Sequence, residues 1–266
     1  MFPDAAVETG AITNARIIAV SRWLERVSYH RSDAVVVLSE DLRANVLAKI
    51  APKHQHKVHV IPNFVDSDRI TPRDRMTSYR EELRIGTEPV VMYAGNVGYS
   101  QSLTMMLHAA REMPEVTFVI NGDGAARGEL ERDAVGLSNI RFSGYQPADR
   151  VAEVLGTADI HVVPLRAGLG AVSVPSKTYS ILAAGRPVVA AIDAGTEVTR
   201  ILAESGAGVS VEPDDPIAFT DALRAMVNSG SAATEAGARG RLWVESHVSP
   251  ARVAHSYLDV IASLGV

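Results

Sequence analysis

Lys177 is the residue on which charge-based chemistry would turn. It follows Pro175-Ser176 at the start of a stretch ending at Ala183-Ala184-Gly185-Arg186-Pro187, which reads as a helix with Ser176 as its N-cap. A cation in a first helical turn opposes the helix dipole, at a cost of ~0.3–1 kcal/mol that an adjacent anion removes. A bound diphosphate would be such an anion; a solvated lysine is the plain alternative. Four further segments have the small or polar residues a ligand needs. Gly95-Asn96-Val97-Gly98 lets backbone approach a phosphate. Gly122-Asp123-Gly124 offers the same, although a short glycine loop also serves as a simple strand-to-helix turn. Gly144-Tyr145 provides backbone along which a nucleobase would lie, or only a packed surface tyrosine. Gly195-Thr196-Glu197 offers amide groups and a carboxylate, or a helix cap. No Ser/His/Asp triad is readable, and the eight histidines lack zinc-ligand spacing; His54 and His56 share a lysine-bearing loop. No metal and no cofactor is expected.

These segments need a scaffold that brings them to one rim. From about Glu88, β-branched runs at 89–94, 116–121, 140–143, 159–164, 187–192 and 208–211 alternate with helical stretches at 103–112, 127–135, 148–156, 177–184 and 198–205. That alternation predicts a doubly wound α/β domain around a parallel sheet, with ligands outside the carboxyl ends of the strands. Each candidate segment directly follows a predicted strand or opens a predicted helix. Upstream, residues 15–30 have helical spacing of Ile17, Val20, Leu24 and Val27, followed by a strand at 34–38, a helix from Asp41 and a strand at 58–61. Two strands are too few to close a second domain. Residues 66–80, rich in charge, Ser and Thr, read as a linker.

The 266 residues carry a formal charge of -5, 47% hydrophobic content and no cysteine. A sizeable core is affordable, disulfides and thiolate chemistry are excluded, and no global basic field for nucleic acid exists. No stretch reaches the ~18 apolar residues of a membrane span, and the first ten residues lack a signal-peptide pattern. A cytoplasmic protein is the expectation. Arg16, Arg22, Arg26, His30 and Arg31 accompany the apolar residues of 15–31, so peripheral contact with the inner face of the membrane is weighed against a helix packed on its own domain.

Several ordered motifs together resemble the retaining glycosyltransferases of family 4 (group 1), which have the GT-B fold of two Rossmann-like domains. They are Asp33-Ala34-Val35-Val36-Val37-Leu38-Ser39-Glu40, Val60-Ile61-Pro62-Asn63-Phe64-Val65-Asp66, Gly122-Asp123-Gly124 before Glu129-Leu130-Glu131, the run from Val174 through Ala190, and Gly195-Thr196-Glu197-Val198. The resemblance implies a nucleotide-diphosphate-sugar donor, its diphosphate near Gly95 to Gly98 and Lys177, its base near Gly144 and Tyr145, and its sugar near Gly195, Thr196 and Glu197. It implies transfer with retention to a cell-envelope polysaccharide or glycolipid acceptor, without a dedicated protein nucleophile. A non-catalytic nucleotide-sugar-binding fragment and a nucleotide-sugar epimerase on the same fold are the alternatives.

The sequence departs from the family at three points. The two glutamates eight positions apart fall on Val172 and Ser180; serine can hold a ribose hydroxyl, but valine cannot replace a carboxylate. The usual phosphate-binding Arg and Lys fall on Asn96 and Gln101, leaving Lys177 as substitute cation. The chain begins inside what should be the acceptor domain, so a fragment is expected: residues 1–70 a remnant of that domain, 71–86 a linker, 87–248 the donor domain, and 249–266 a helix returning toward the N-terminal part. The expected donor-binding set is Gly95, Asn96, Gly98, Gln101, Gly122, Gly124, Gly144, Tyr145, Ser176, Lys177, Ser180, Gly195, Thr196 and Glu197.

Overall fold

Runs of Val, Ile and Ala become strands, the central ones covered on both faces. The computed structural model describes Pro3, Asp4, Val7, Gly10, residues 12–170 and residues 172–265. Six parallel strands, β3 (Val90–Ala94), β4 (Thr117–Asn121), β5 (Ile140–Ser143), β6 (Ile160–Pro164), β7 (Val188–Ala191) and β8 (Gly208–Val211), form one sheet in the order β5-β4-β3-β6-β7-β8. Every residue of β4 and β6 is buried, as a central strand between two helical layers requires. Side chains alternate between two cores: Val91 and Tyr93 pack with Phe118 and Ile120, while Val90 and Met92 pack with Val119 on the opposite face.

Helices α4 (Thr104–Glu112) and α9 (Pro216–Asn228) cover the first face, burying Met106, Leu107, Phe219 and Leu223. On the other face lie α7 (Lys177–Ala183), α8 (Glu197–Ser205) and α10 (Ser231–His247), with Leu182, Ile201 and Val244 in a second core. The short helices α5 (Arg127–Asp133) and α6 (Val151–Thr157) complete the crossovers, and α11 (Pro250–Ser263) follows α10. Helix α10 approaches so closely that a Cβ on Gly237 would lie 2.1 Å from the Gly185 carbonyl oxygen.

The upstream residues form α1 (Ala15–Arg31), β1 (Val35–Val37), α2 (Glu40–Leu47) and β2 (Val58–Val60), with β1 and β2 paired in parallel as a separate two-stranded sheet. Val35, Val37, Leu42, Val46 and Val58 make a small core there, against which Val174 of the large unit also packs. The segment read as a linker contains α3 (Ser78–Glu82), whose Tyr79 and Arg80 are buried. Arg80 donates to the carbonyls of Gly86, Glu88 and Thr157, so this charged residue serves the floor of the large sheet. Val65 donates to Val248 at the end of α10, bringing the segment before α3 beside the C-terminal helices.

Candidate functional site at the switch of the large sheet

Strands β3 and β6 are spatial neighbours, but the chain leaves them toward opposite edges, which opens a crevice beyond their carboxyl ends. A cleft of about 520 Å³ occupies this place. Gly95, Asn96 and Gln101 border it after β3, Pro164 and Leu165 at the end of β6, Ser176, Lys177 and Ser180 at α7, and Asn63 and Phe64 from the upstream part. Six of the residues singled out in the sequence thus meet in one cavity, although they span 86 positions of chain from Gly95 to Ser180.

Lys177 is half-buried, and its ammonium lies 3.7 Å from the centroid of the Tyr93 ring. The ring face attracts the cation. No carboxylate pairs with Lys177 among the described residues, and burial lowers its pKa to about 7. Gly95, at φ +146°, is what permits this placement, because a Cβ there would sit 3.0 Å from Lys177 Nζ. Tyr93 is itself fixed by donating its hydroxyl to the Asn96 carbonyl.

The other predicted residues have different surroundings. Gly98 donates its amide to Gln101 Oε1 at 3.1 Å, which folds the β3 loop back on itself. Gly122 and Gly124 stand behind that loop: a Cβ on Gly122 would come within 1.8 Å of the Gly95 carbonyl oxygen, and one on Gly124 within 2.4 Å of the Val97 carbonyl oxygen. Both glycines have positive φ, so the turn shapes the Gly95 loop from beneath. Gly144 has open space over its Cα, and the exposed Tyr145 donates its hydroxyl to the Asp123 carbonyl at 3.1 Å, beyond β5.

Two capping expectations change. Ser176 occupies the position before α7, but its backbone is already helical and its side chain makes no cap bond; the extended conformation that aims a capping oxygen at the first amides is absent. Thr196 is extended, yet its hydroxyl turns back to the Asp193 carbonyl at 2.8 Å instead of capping α8.

The acceptor for the first turn of α8 comes from elsewhere. Asp41 of α2 accepts the Glu197 amide at 2.9 Å and pairs with Arg200 at 2.7 Å, while Arg200 also holds the Glu197 carboxylate at 3.0 Å. Burial raises the Glu197 pKa, opposed by its hydrogen bond from Arg200. Asp41 was legible in sequence only as a first-turn helical residue. Asn63 and Phe64 were legible only within a family motif.

A family model described as "Glycosyl transferases group 1" matches residues 88–229. The chain belongs to the group 1 glycosyl transferases. A second model, "Glycosyltransferase Family 4", matches residues 11–69. The chain is 27% identical over 225 residues to the protein named probable glycosyltransferase WbjE of Pseudomonas aeruginosa, covering 82% of this chain and 56% of that one. It is 27% identical over 219 residues to WcaI of Escherichia coli (strain K12), whose name attaches it to colanic acid biosynthesis, covering 79% and 53%. The chain therefore spans about half the length of these curated relatives. Among solved structures, Anabaena Alr3699/HepE in complex with UDP-glucose superposes with a TM-score of 0.81 at 14% identity over 92% of this chain and 68% of that one. WaaG, a glycosyltransferase involved in lipopolysaccharide biosynthesis, superposes with a TM-score of 0.71 at 14% identity, covering 96% and 72%. The fold is of the GT-B type: among the described residues it comprises a six-stranded Rossmann-like parallel sheet and a two-stranded parallel sheet upstream of it.

Proposed function

We propose that this chain carries the donor side of a glycosyltransferase that moves a sugar from a nucleotide-diphosphate sugar to a cell-envelope polysaccharide or glycolipid acceptor, with retention. The observation that carries the reading is the Lys177 ammonium, which borders the switch-point cleft with an aromatic ring beneath it and, among the described residues, no carboxylate against it. When the bond to the anomeric carbon breaks, negative charge gathers on the departing diphosphate, and a cation already in position stabilises it without reorganisation. A diphosphate in turn favours the charged form of a lysine whose pKa is near 7 in the empty cleft. The β3 loop would hold the phosphates beside Lys177, Gly144 and Tyr145 would flank the base, and Thr196 and Glu197 would meet the sugar. The UDP-glucose bound by HepE supports the ligand class, and the names of WcaI and WaaG support an envelope acceptor.

Calorimetric titration with UDP, GDP and their hexose conjugates tests the reading. At least one should saturate the chain, and Lys177→Ala should weaken it by about tenfold to a hundredfold, the worth of a charge-assisted bond. A folded chain that binds none of them would end it. The anomer of any transferred sugar, read by NMR, checks retention.

No helix among the described residues is long and apolar enough to cross a membrane. Helix α1 nevertheless exposes Ile17, Val20, Trp23 and Leu24, with Arg16 beside them. This face would rest on an anionic bilayer. Co-sedimentation with phosphatidylglycerol vesicles should fall on Trp23→Ser with Leu24→Ser; unchanged sedimentation removes the membrane contact.

A further inference from the structure

Lysine is scarce in this sequence. Lys49, Lys53 and Lys57 lie in the upstream part, and residues 58–266 contain Lys177 alone, every other Lys or Arg position there being arginine. The two types are not interchangeable where burial is deep, because arginine stays charged whereas lysine can release its proton and react as an amine. The four amines also differ in their surroundings. Lys49 is held by Asp4 and Glu25, Lys57 donates to the Ser32 carbonyl at 2.9 Å, and Lys53 stands exposed in the short helical turn Pro52–Lys57. Lys177 Nζ has no hydrogen-bond acceptor among the described residues; the Tyr93 ring lies on one side of it and Gly95 on another. A side chain at position 95 would begin 3.0 Å from Nζ, so glycine there keeps the amine unscreened where it borders the cleft. Lys177 is the one charged residue among those described that line this cleft.

We propose that Lys177 is a modification site that takes an acyl group from an acyl phosphate, and that the acylated cleft no longer holds the diphosphate of a nucleotide sugar. The second half rests on the donor reading; the reactivity of the amine does not. Ser176, Ser180, Asn96 and Gln101 border the same cleft and supply hydrogen-bond donors for the phosphate of the reagent, which brings its carbonyl carbon to Nζ. The neutral amine attacks that carbon, a C–N bond forms, the C–O bond to the phosphate breaks, and the phosphate departs with the amine's proton as hydrogen phosphate. Burial without a counter-charge supplies the neutral amine, since the Lys177 pKa is about 7. At about pH 7.5 most of Lys177 is then free amine, against roughly one in a thousand of an ordinary lysine. Lower basicity weakens an attacking group, but reactivity peaks, as it does for thiols, when the pKa lies near the ambient pH. The product is an uncharged amide, so the cleft is left without its cation.

The test incubates the full chain with acetyl phosphate near neutral pH and follows each lysine by peptide mass spectrometry. Lys177 should acetylate about tenfold or more faster than the exposed Lys53, and the preference should vanish when the chain is unfolded in urea. With p-nitrophenyl acetate, which carries no phosphate, the preference should shrink. UDP should slow acetylation at Lys177 and not at Lys53, and UDP affinity should fall by about tenfold to a hundredfold as Lys177 is acetylated. Equal rates at Lys177 and Lys53 in the folded chain overturn the proposal. An undiminished preference with p-nitrophenyl acetate overturns the acyl-phosphate class, and unchanged UDP affinity at full acetylation overturns the effect on the cleft. Titration of the untreated chain separates the two readings. No UDP binding there, with Lys177 still acetylated first, sinks the donor reading and leaves the modification site. UDP binding that weakens in Lys177→Ala, with no preferential acetylation, sinks the modification site alone.

Discussion

Lys177 carries two pH dependences of opposite sign. Its pKa falls from an ordinary value near 10.5 to about 7 on burial, so between those limits the unfolded chain binds more protons than the ligand-free fold. Raising the pH through that window therefore stabilises the empty protein. Binding of a diphosphate requires the ammonium, so affinity should decline by about tenfold per pH unit above 7, and at pH 8 binding should take up close to one proton. Calorimetry in buffers of differing ionisation enthalpy measures that uptake; a value near zero would dissociate Lys177 from the anion. The sequence disclosed the lysine because its place in a first helical turn is unusual on local grounds. It did not disclose Tyr93, 84 positions earlier, because which strand residue lies beneath α7 depends on packing across the sheet.

Among the elements, the turn after β4 shows how backbone contact shapes a site without touching a ligand. Gly122→Ala would place a methyl group 1.8 Å from the Gly95 carbonyl oxygen at a φ of +147°. We expect a loss of about 2–4 kcal/mol in denaturant unfolding and weaker nucleotide binding, since the Gly95 loop must move. Gly237→Ala separates packing from propensity. Alanine favours a helix by about 1 kcal/mol over glycine, yet here the methyl group meets the Gly185 carbonyl at 2.1 Å, so the variant should unfold at lower denaturant concentration. A stabilised Gly237→Ala would show that α10 can shift without cost. The strands from Val90 onward were legible nearly to the residue, because the central strands, buried on both faces, leave apolar runs, and β3, β4 and β5 each end at a glycine. Capping was less legible: Ser176 and Thr196 are the right residue types, but the chain enters their helices in ways that direct the hydroxyls elsewhere.

At the scale of the whole molecule, the two sheets meet through Asp41, Arg200 and the Glu197 amide, and through Val174 in both cores. Asp41→Ala should cost about 1 kcal/mol, the worth of a helix cap joined to a partly exposed ion pair. Hydrogen exchange should quicken at residues 35–60 and at the start of α8 together. Quickening at only one of them would mean that the contact is incidental. The alternation of strands and helices was enough to anticipate the doubly wound unit, and the ordered motifs were enough to anticipate a group 1 glycosyl transferase. How the upstream residues grip the large unit was not readable, since a carboxylate and a guanidinium 159 positions apart leave no local trace.

That grip also constrains protein engineering. A chimera joining the six-stranded unit to the upstream segment of a different relative would keep this contact only by supplying a carboxylate where Asp41 stands. Without it, Arg200 and the first turn of α8 lose their counterpart beside the segment we propose meets the sugar. Grafts between relatives should therefore preserve this joint, or replace Arg200 together with Asp41.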